Sequence, residues 1–233
     1  YDSSALTRSR TLNWTNSVAF GPWLLTAGGE HQQQSIDTDD SYATQLNRER
    51  SVTALFTGLS ATLGAHALQF NLRRDDAQGL AARTTGYAGY GWQFAPAWKL
   101  IGSLSTAFNL PPLGYLYDPF SGNPALQPET ARSAELGLQW AQERQVVRAT
   151  LFRTRIANLL QYDYATFSFN NVSSAANQGL VVSYTGKLAS ADLHASLTLQ
   201  DPTDRATGLG LVRRARTMAS FGASVPMDRW VLG

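Results

Sequence analysis

The feature that most constrains this chain is a strict alternation of side-chain character on both sides of one long loop. In residues 100–109 and again in residues 133–140, apolar side chains alternate with small or polar ones. A proline-rich stretch of about twenty residues, 110–130, separates the two segments. Successive side chains of a β-strand point to opposite faces, so each segment predicts a strand with one apolar and one polar face.

Short and long connections alternate along the whole chain. The predicted short turns lie at residues 21–22, 61–64, 95–97, 142–144, 186–189 and 226–228, and the predicted long connections at residues 32–49, 75–81, 110–130, 157–178 and 201–212. Antiparallel neighbours would gather the short turns at one end and the long loops at the other, as in outer-membrane barrels. We therefore predict an all-β, antiparallel up-and-down transmembrane β-barrel segment, with about eleven strands and a twelfth starting at Trp230.

The composition agrees with a barrel wall and excludes several other classes. Charged residues are 15% of the chain, below the roughly 25% of soluble domains. The difference of 19 Lys+Arg and 17 Asp+Glu leaves a net charge of +2, so nucleic acid is not an expected partner. There is no cysteine and therefore no disulfide framework in this sequence. No apolar run reaches the ~20 residues of a membrane helix.

The tryptophans indicate the orientation of the strands. Five of the six lie within a few residues of a predicted short turn, and only Trp14 lies deeper in its strand; the five are Trp23, Trp92, Trp98, Trp140 and Trp230. An indole prefers the level of the lipid headgroups. We therefore predict that the short-turn end carries the inner interfacial girdle of aromatic residues. A soluble sandwich core would not confine tryptophan to one end.

One motif within the long loop is similar to a family signature. Residues 123–129 read Asn-Pro-Ala-Leu-Gln-Pro-Glu and are followed by Glu135-Leu136-Gly137, which resembles the N-P-x-L-x-P-E…E-x-G signature of TonB-dependent outer-membrane receptors. Further stretches, at residues 11–16, 73–76, 107–117, 158–164 and 211–215, resemble the cobalamin-transporting branch of that family. Siderophore and other metal-chelate receptors share much of the pattern.

The resemblance implies a function, a location and a set of partners. It implies part of an active importer for a bulky, scarce nutrient, cobalamin first, in the outer membrane of a Gram-negative bacterium. The expected partners are cobalamin or a similar chelate, a TonB-type energy-coupling protein acting through a plug, and outer-membrane lipid with lipopolysaccharide. Phage or colicin binding is a further expectation. No cofactor is expected, and the strands would do no chemistry.

Residues 1–233 are expected to form a single β-barrel segment without the plug domain and the final strands of the family. About eleven strands is half of the 22 in large plugged transporters. A half wall in lipid would leave two unpaired edges, which is costly. The alternatives are an open sheet from a longer protein, which we favour, edges paired with another copy, or a small barrel closed between residues 11–20 and 217–225.

The candidate ligand-binding residues lie in two connections. Tyr115, Tyr117 and Phe120 could form an aromatic floor for a large flat ligand, or could pack the long loop on itself. Arg213 and Arg214, followed by Arg216, could hydrogen-bond a ligand with amide or phosphate groups. Alternation directs Arg214 and Arg216 to the lumen, and the resemblance implies that Arg213 lies near ligand. The alternative is a solvated rim that binds water or lipopolysaccharide phosphate.

The sequence gives little support for a metal site or for an enzyme. Asp37, Asp39 and Asp40 lack the glycine and distal glutamate of a calcium loop, so a solvated acidic loop is expected. The sequence has neither a G-x-S-x-G motif nor paired histidines. His194, with Ser196 two residues on, leaves a barrel hydrolase as an alternative. A non-transporting surface receptor is the other, and we predict no enzyme.

Overall fold

The computed structural model describes residues 3–40, 45–211, 213–227 and 229–232, and those residues form one antiparallel sheet. Its strands are β1 (Ser3–Phe20), β2 (Trp23–Asp40), β3 (Leu46–Leu63), β4 (His66–Ala77), β5 (Arg83–Ala95), β6 (Trp98–Asn109), β7 (Glu129–Gln142), β8 (Gln145–Asp163), β9 (Ser168–Leu188), β10 (Ala191–Gln200), β11 (Thr203–Asp204), β12 (Thr217–Met227) and β13 (Trp230–Leu232). Long strands follow one another in chain order, which confirms the up-and-down class.

A short turn occurs near each predicted place in the described residues, but two are shifted: residues 61–63 belong to β3 and residues 186–188 to β9. Phe20 pairs directly with Trp23 across one turn, and Leu63 pairs with His66 across the next. The first residue of such a tight turn takes a positive φ, here 57° at Gly21 and 58° at Gly64, which glycine adopts without strain. Residue 228, in the last predicted turn, lies outside the described residues.

Two predicted long connections are wrong, because the strands run further than alternation suggested. Residues 32–40 belong to β2 and residues 46–49 to β3, and residues 157–163 and 168–178 belong to β8 and β9. Beyond the bilayer both faces of a hairpin meet water, so polar residues can occupy every position without breaking the ladder. Side-chain hydrogen bonds support the extended part of the β1–β2 hairpin. Gln32 donates to Ser9 at 3.1 Å, and Gln34 donates to Gln32 at 2.9 Å.

The cross-strand register sorts the side chains into two faces. Apolar rows run straight across the sheet on one face; one row is Leu100, Leu138, Ala149, Val182, Leu197 and Ala219. Trp98 and Trp140 are direct partners at the short-turn end of that face. The other face carries Asn13, Thr15 and Ser17 of β1 and their neighbours. Alternation is thus present in the structure as predicted.

The sheet is open at β1. Among the described residues β1 pairs with β2 alone, over its whole length, and β12 pairs with β10 and β13. The predicted alternative of a small barrel closed between residues 11–20 and 217–225 is therefore excluded in this structure. No helix in the described residues is long and apolar enough to cross a membrane.

Candidate ligand-binding site

The long loop folds back over the polar face of the sheet. It follows β6, yet its short helix α1 (Leu113–Tyr117) contacts β2 and β3, so the sheet curls and the loop lies inside the curve. Within α1, Leu113 and Leu116 are buried. The polar face is therefore the inner, lumen-side face, and the apolar rows face outward.

Arg50 of β3 holds the start of this loop. Its Nη1 donates to the carbonyl oxygen of Pro111 at 2.8 Å, and its Nη2 donates to Oε1 of Gln34 at 2.6 Å. Burial lowers the pKa of the Arg50 guanidinium, an effect that the nearby Tyr117 phenol opposes. A buried guanidinium needs such acceptors, because an unpaired buried charge is costly.

The signature segment fixes the rest of the loop to the β8–β9 hairpin. Asn123 donates through Nδ2 to the carbonyl oxygen of Phe169 at 2.9 Å, and its Oδ1 accepts from the amide of Ala125 at 3.0 Å. Leu126, 1% exposed, and Pro128 are buried. The leucine and proline of the motif therefore fill space, and its asparagine joins two loops.

Asn171 and Glu129 add further hydrogen bonds between the long loop and the β8–β9 hairpin. The side chain of Asn171 accepts from the amide of Gln127 at 2.8 Å and donates to its carbonyl oxygen at 3.0 Å. The Glu129 carboxylate accepts from the amide of Leu160 at 2.7 Å and from the Asn109 side chain at 3.1 Å. The motif residues thus hold the loop in place.

An aromatic cluster lies where the two loops meet. The Tyr115 ring stacks on Phe169 with centroids 3.7 Å apart, and Tyr162 meets Phe169 edge-on at 5.1 Å. Tyr164 meets Tyr162 edge-on, also at 5.1 Å. Asp163 closes the hairpin tip: hydrogen bonds from the Ala165 amide and the Thr166 hydroxyl lower the pKa of its carboxyl group. Three of these rings come from a hairpin that supplied no predicted site residue.

The three predicted aromatic residues have different surroundings. Tyr115 is engaged in the stack, which supports the loop-packing alternative for that residue. Arg48 lies over the Tyr117 ring, 5.5 Å from its centroid. Phe120 is 74% exposed at the loop surface. Tyr117 and Phe120 therefore keep aromatic surface exposed, and Tyr115, although it braces the loop, is also 36% exposed.

The predicted arginines lie in the connection before β12. Arg213 and Arg214 are exposed, and Arg213 has a φ of 58°. Because β12 starts only at Thr217, strand alternation does not orient Arg214. Arg216 pairs with Asp201 at 3.6 Å. Within the described part of the chain, no hydrogen bond or ion pair joins Arg213 or Arg214 to the long loop.

A polar cavity of about 390 Å³ opens on the inner face beneath the loop. Arg73 lines this cavity and forms ion pairs with Glu30 at 2.8 Å and with Asp75 at 2.9 Å. Gln34 and Asn109 also line it. Sequence reasoning missed this wall, because strand alternation identifies inward residues without showing which strands the loop covers.

Neither the acidic segment nor His194 forms a reactive centre in the residues described. Asp37 pairs with Arg8 at 3.9 Å and accepts from Asn47 at 2.6 Å, and the Asp40 side chain lies outside the described residues. No cluster of metal-ligating residues occurs in the described part of the chain. The His194 ring packs over Gly222, and the Ser196 hydroxyl pairs with that of Ser220 at 2.8 Å.

An open antiparallel meander with an apolar outer face, an aromatic row at its short-turn end and an inward-folded loop defines the wall of an outer-membrane receptor barrel. The family comparison agrees: residues 1–233 match the family model described as TonB dependent receptor-like, beta-barrel. The chain belongs to this family. Its barrels lie in the outer membrane of Gram-negative bacteria, and its members are transport receptors rather than enzymes.

The similar curated proteins include vitamin B12 transporters. The transporter BtuB of Vibrio cholerae serotype O1 is 30% identical over 243 aligned residues, which cover 100% of this chain and 38% of the relative. The same values hold for a second strain of that serotype. The chain thus spans well under half the length of these relatives.

Solved structures with the same fold include two metal-related receptors. The copper transporter OprC has a TM-score of 0.82 at 17% identity, covering 98% of this chain and 42% of that one. A G324V variant of the ferric enterobactin receptor PfeA from Pseudomonas aeruginosa has a TM-score of 0.81 at 18% identity, covering 97% and 40%. At this identity the likeness establishes the fold alone.

Proposed function

We propose that this chain forms part of a TonB-dependent active transporter that imports a bulky, scarce nutrient, with cobalamin as the first candidate. The observation that carries the proposal is the long loop, which is fixed over the inner face and leaves Phe120 and Tyr117 exposed. The 30% identity to vitamin B12 transporters over the whole chain supports cobalamin.

In this proposal the loops capture the ligand and the strands hold the loops. Phe120 and Tyr117 supply apolar contact to a flat ring system, with Tyr115 bracing them through Phe169. Arg213 and Arg214 contribute hydrogen-bond donors from the neighbouring connection. Energy comes from a TonB-type protein acting through a plug, and further strands complete the sheet.

The test is a titration of cobalamin into the full-length protein in detergent. Tight, saturable binding is expected, and Phe120→Ala should weaken it without unfolding the barrel, because the exposed ring supports no buried neighbour. Leu188→Ala is a matched control, since Leu188 is also exposed (62%) but lies at the short-turn end, away from the loops. Weakening by both variants alike, or by neither, would count against Phe120 as a contact.

A siderophore or other metal chelate is the second candidate, since the solved neighbours include a ferric enterobactin receptor and a copper transporter. Titration of ferric enterobactin under the same conditions separates the two. Saturable binding of the ferric chelate without cobalamin binding would reassign the ligand. Binding of neither, with phage or colicin adsorption retained, would favour a surface receptor that does not transport.

A further inference from the structure

A buried arginine lies within the surface of β3 that the long loop covers. The helix α1 contacts β2 and β3, and four inward positions of β3 are each at most 7% exposed: Leu46, Arg50, Val52 and Ala54, together the β3 platform. Three of the four side chains are apolar, as packing under a loop requires. Arg50 is the exception, and at 7% exposed it lies too deep to contact a ligand directly.

The hydrogen bonds of Arg50 run to the loop on one side and to β2 on the other. Its Nη1 donates to the buried Pro111 at the carbonyl oxygen, at 2.8 Å. Its Nη2 and Nε donate to Oε1 of Gln34 at 2.6 and 3.2 Å. Gln34 is fixed in turn, because its Nε2 donates to Gln32, which donates to Ser9 of β1. A chain of hydrogen bonds therefore joins the start of the loop to three strands.

Tyr117 connects this anchor to the candidate ligand site. The Tyr117 phenol lies near the Arg50 guanidinium, and Arg48, on the same face of β3, lies over the Tyr117 ring at 5.5 Å from its centroid. Phe120 follows three residues later in the same loop. The position of both exposed rings therefore depends on how the loop lies on β3.

A buried arginine within an apolar platform restricts the loop to one placement. Apolar contacts are non-directional, so Leu113 and Leu116 of α1 can pack on the platform in more than one register. A charge-assisted hydrogen bond requires one geometry of donor and acceptor. Replacing a buried charged group by an apolar side chain of similar volume is often neutral for stability. The arginine is therefore explained by the placement that it selects and not by stability that it adds.

We propose that Arg50 is a positioning residue of the ligand site, and that it selects the loop placement in which Tyr117 and Phe120 meet the incoming nutrient. This inference rests on the proposed function. Only the selected placement binds, so the apparent dissociation constant is the intrinsic one divided by the fraction of molecules in that placement. Loss of Arg50 lowers this fraction and slows association, whereas loss of a direct contact, as in Phe120→Ala, speeds dissociation.

The experiment measures the kinetics of cobalamin binding to the full-length protein in detergent. Arg50→Met keeps a side chain of similar length without a donor. A hydrogen bond to a charged group is worth about tenfold or more, so the dissociation constant should rise at least about tenfold, through slower association. The unfolding temperature should stay within a few degrees of the parent. Arg50→Lys keeps one donor for the Pro111 carbonyl oxygen and should recover part of the loss.

Arg148→Met is the matched control for the loss of an inward arginine. Arg148 also faces the lumen and also donates to a glutamine of the neighbouring strand, from Nε to Oε1 of Gln139 at 3.1 Å. It lies at the short-turn end, away from the loop. This variant should bind cobalamin with the association rate of the parent. An equal loss in both arginine variants would overturn the assignment of Arg50.

Amide exchange without ligand separates this inference from the proposed function. The amides of Leu116 and Asp118 are hydrogen-bonded within the loop, and they should exchange at least about tenfold faster in Arg50→Met than in the parent or in Arg148→Met. If the parent binds no cobalamin, the proposed ligand is wrong, and the exchange rates still decide whether Arg50 places the loop. Unchanged exchange in Arg50→Met, a fall in its unfolding temperature that accounts for the lost binding, or a loss of affinity entirely through faster dissociation would overturn the proposal.

Discussion

At the scale of single residues, the polar side chains of the long loop mainly hold two loops together. Asn123 has partners on both loops: the carbonyl oxygen of Phe169, the Asn170 side chain and the amide of Ala125. Replacing it removes three hydrogen bonds and leaves part-buried groups without partners, and each loss of this kind costs about 1–3 kcal/mol.

We therefore expect Asn123→Ala to loosen the loop without unfolding the strands. Hydrogen exchange should speed up at Ala125 and at the tip of the β8–β9 hairpin. Gln127→Ala is the matched control, because its side chain makes only a local 3.4 Å bond to the carbonyl oxygen of Ala125 among its described contacts. Equal acceleration in both variants would show that the Asn123 bonds do not carry the junction.

At the scale of elements, the two faces of β10 should respond differently to charge. Leu197 lies in the middle of the outward apolar rows, and Ser196 faces inward beside Ser220. Leu197→Arg should reduce the free energy of unfolding in lipid by about 2–4 kcal/mol, and Ser196→Arg by much less. Urea titration of the full-length protein in vesicles measures both, and equal costs would mean that the faces are misassigned.

The sequence predicted the strands well, and the turns to within a few residues, wherever one face of the sheet is apolar and the other polar, because that contrast enforces a period of two. It predicted loops at the loop-side ends of β2, β3, β8 and β9, where the strands continue and both faces meet water. The candidate site was predicted in part. The Tyr115–Phe169 stack and the Arg50–Pro111 bond join residues that are 54 and 61 positions apart, and no local pattern encodes such contacts.

At the scale of the whole molecule, the open edge of β1 needs a partner in the membrane. An unpaired backbone group in hydrocarbon costs several kcal/mol, so a spanning sheet must close. In the full-length protein we expect the β1 amides that point away from β2 to exchange as slowly as those inside β5. Fast exchange at alternate β1 residues would show an edge open to water instead of a closed wall.

The central proposition is that these strands cross the outer membrane with one face in lipid and the other towards the lumen. Spin labels placed singly at positions 11–18 of β1, in a cysteine-free full-length protein in vesicles, test it most directly. Collision with oxygen should be high at Leu12, Trp14 and Val18, and collision with a water-soluble nickel chelate should be higher at Asn13, Thr15 and Ser17. A trace without a period of two, or with these faces exchanged, would contradict it.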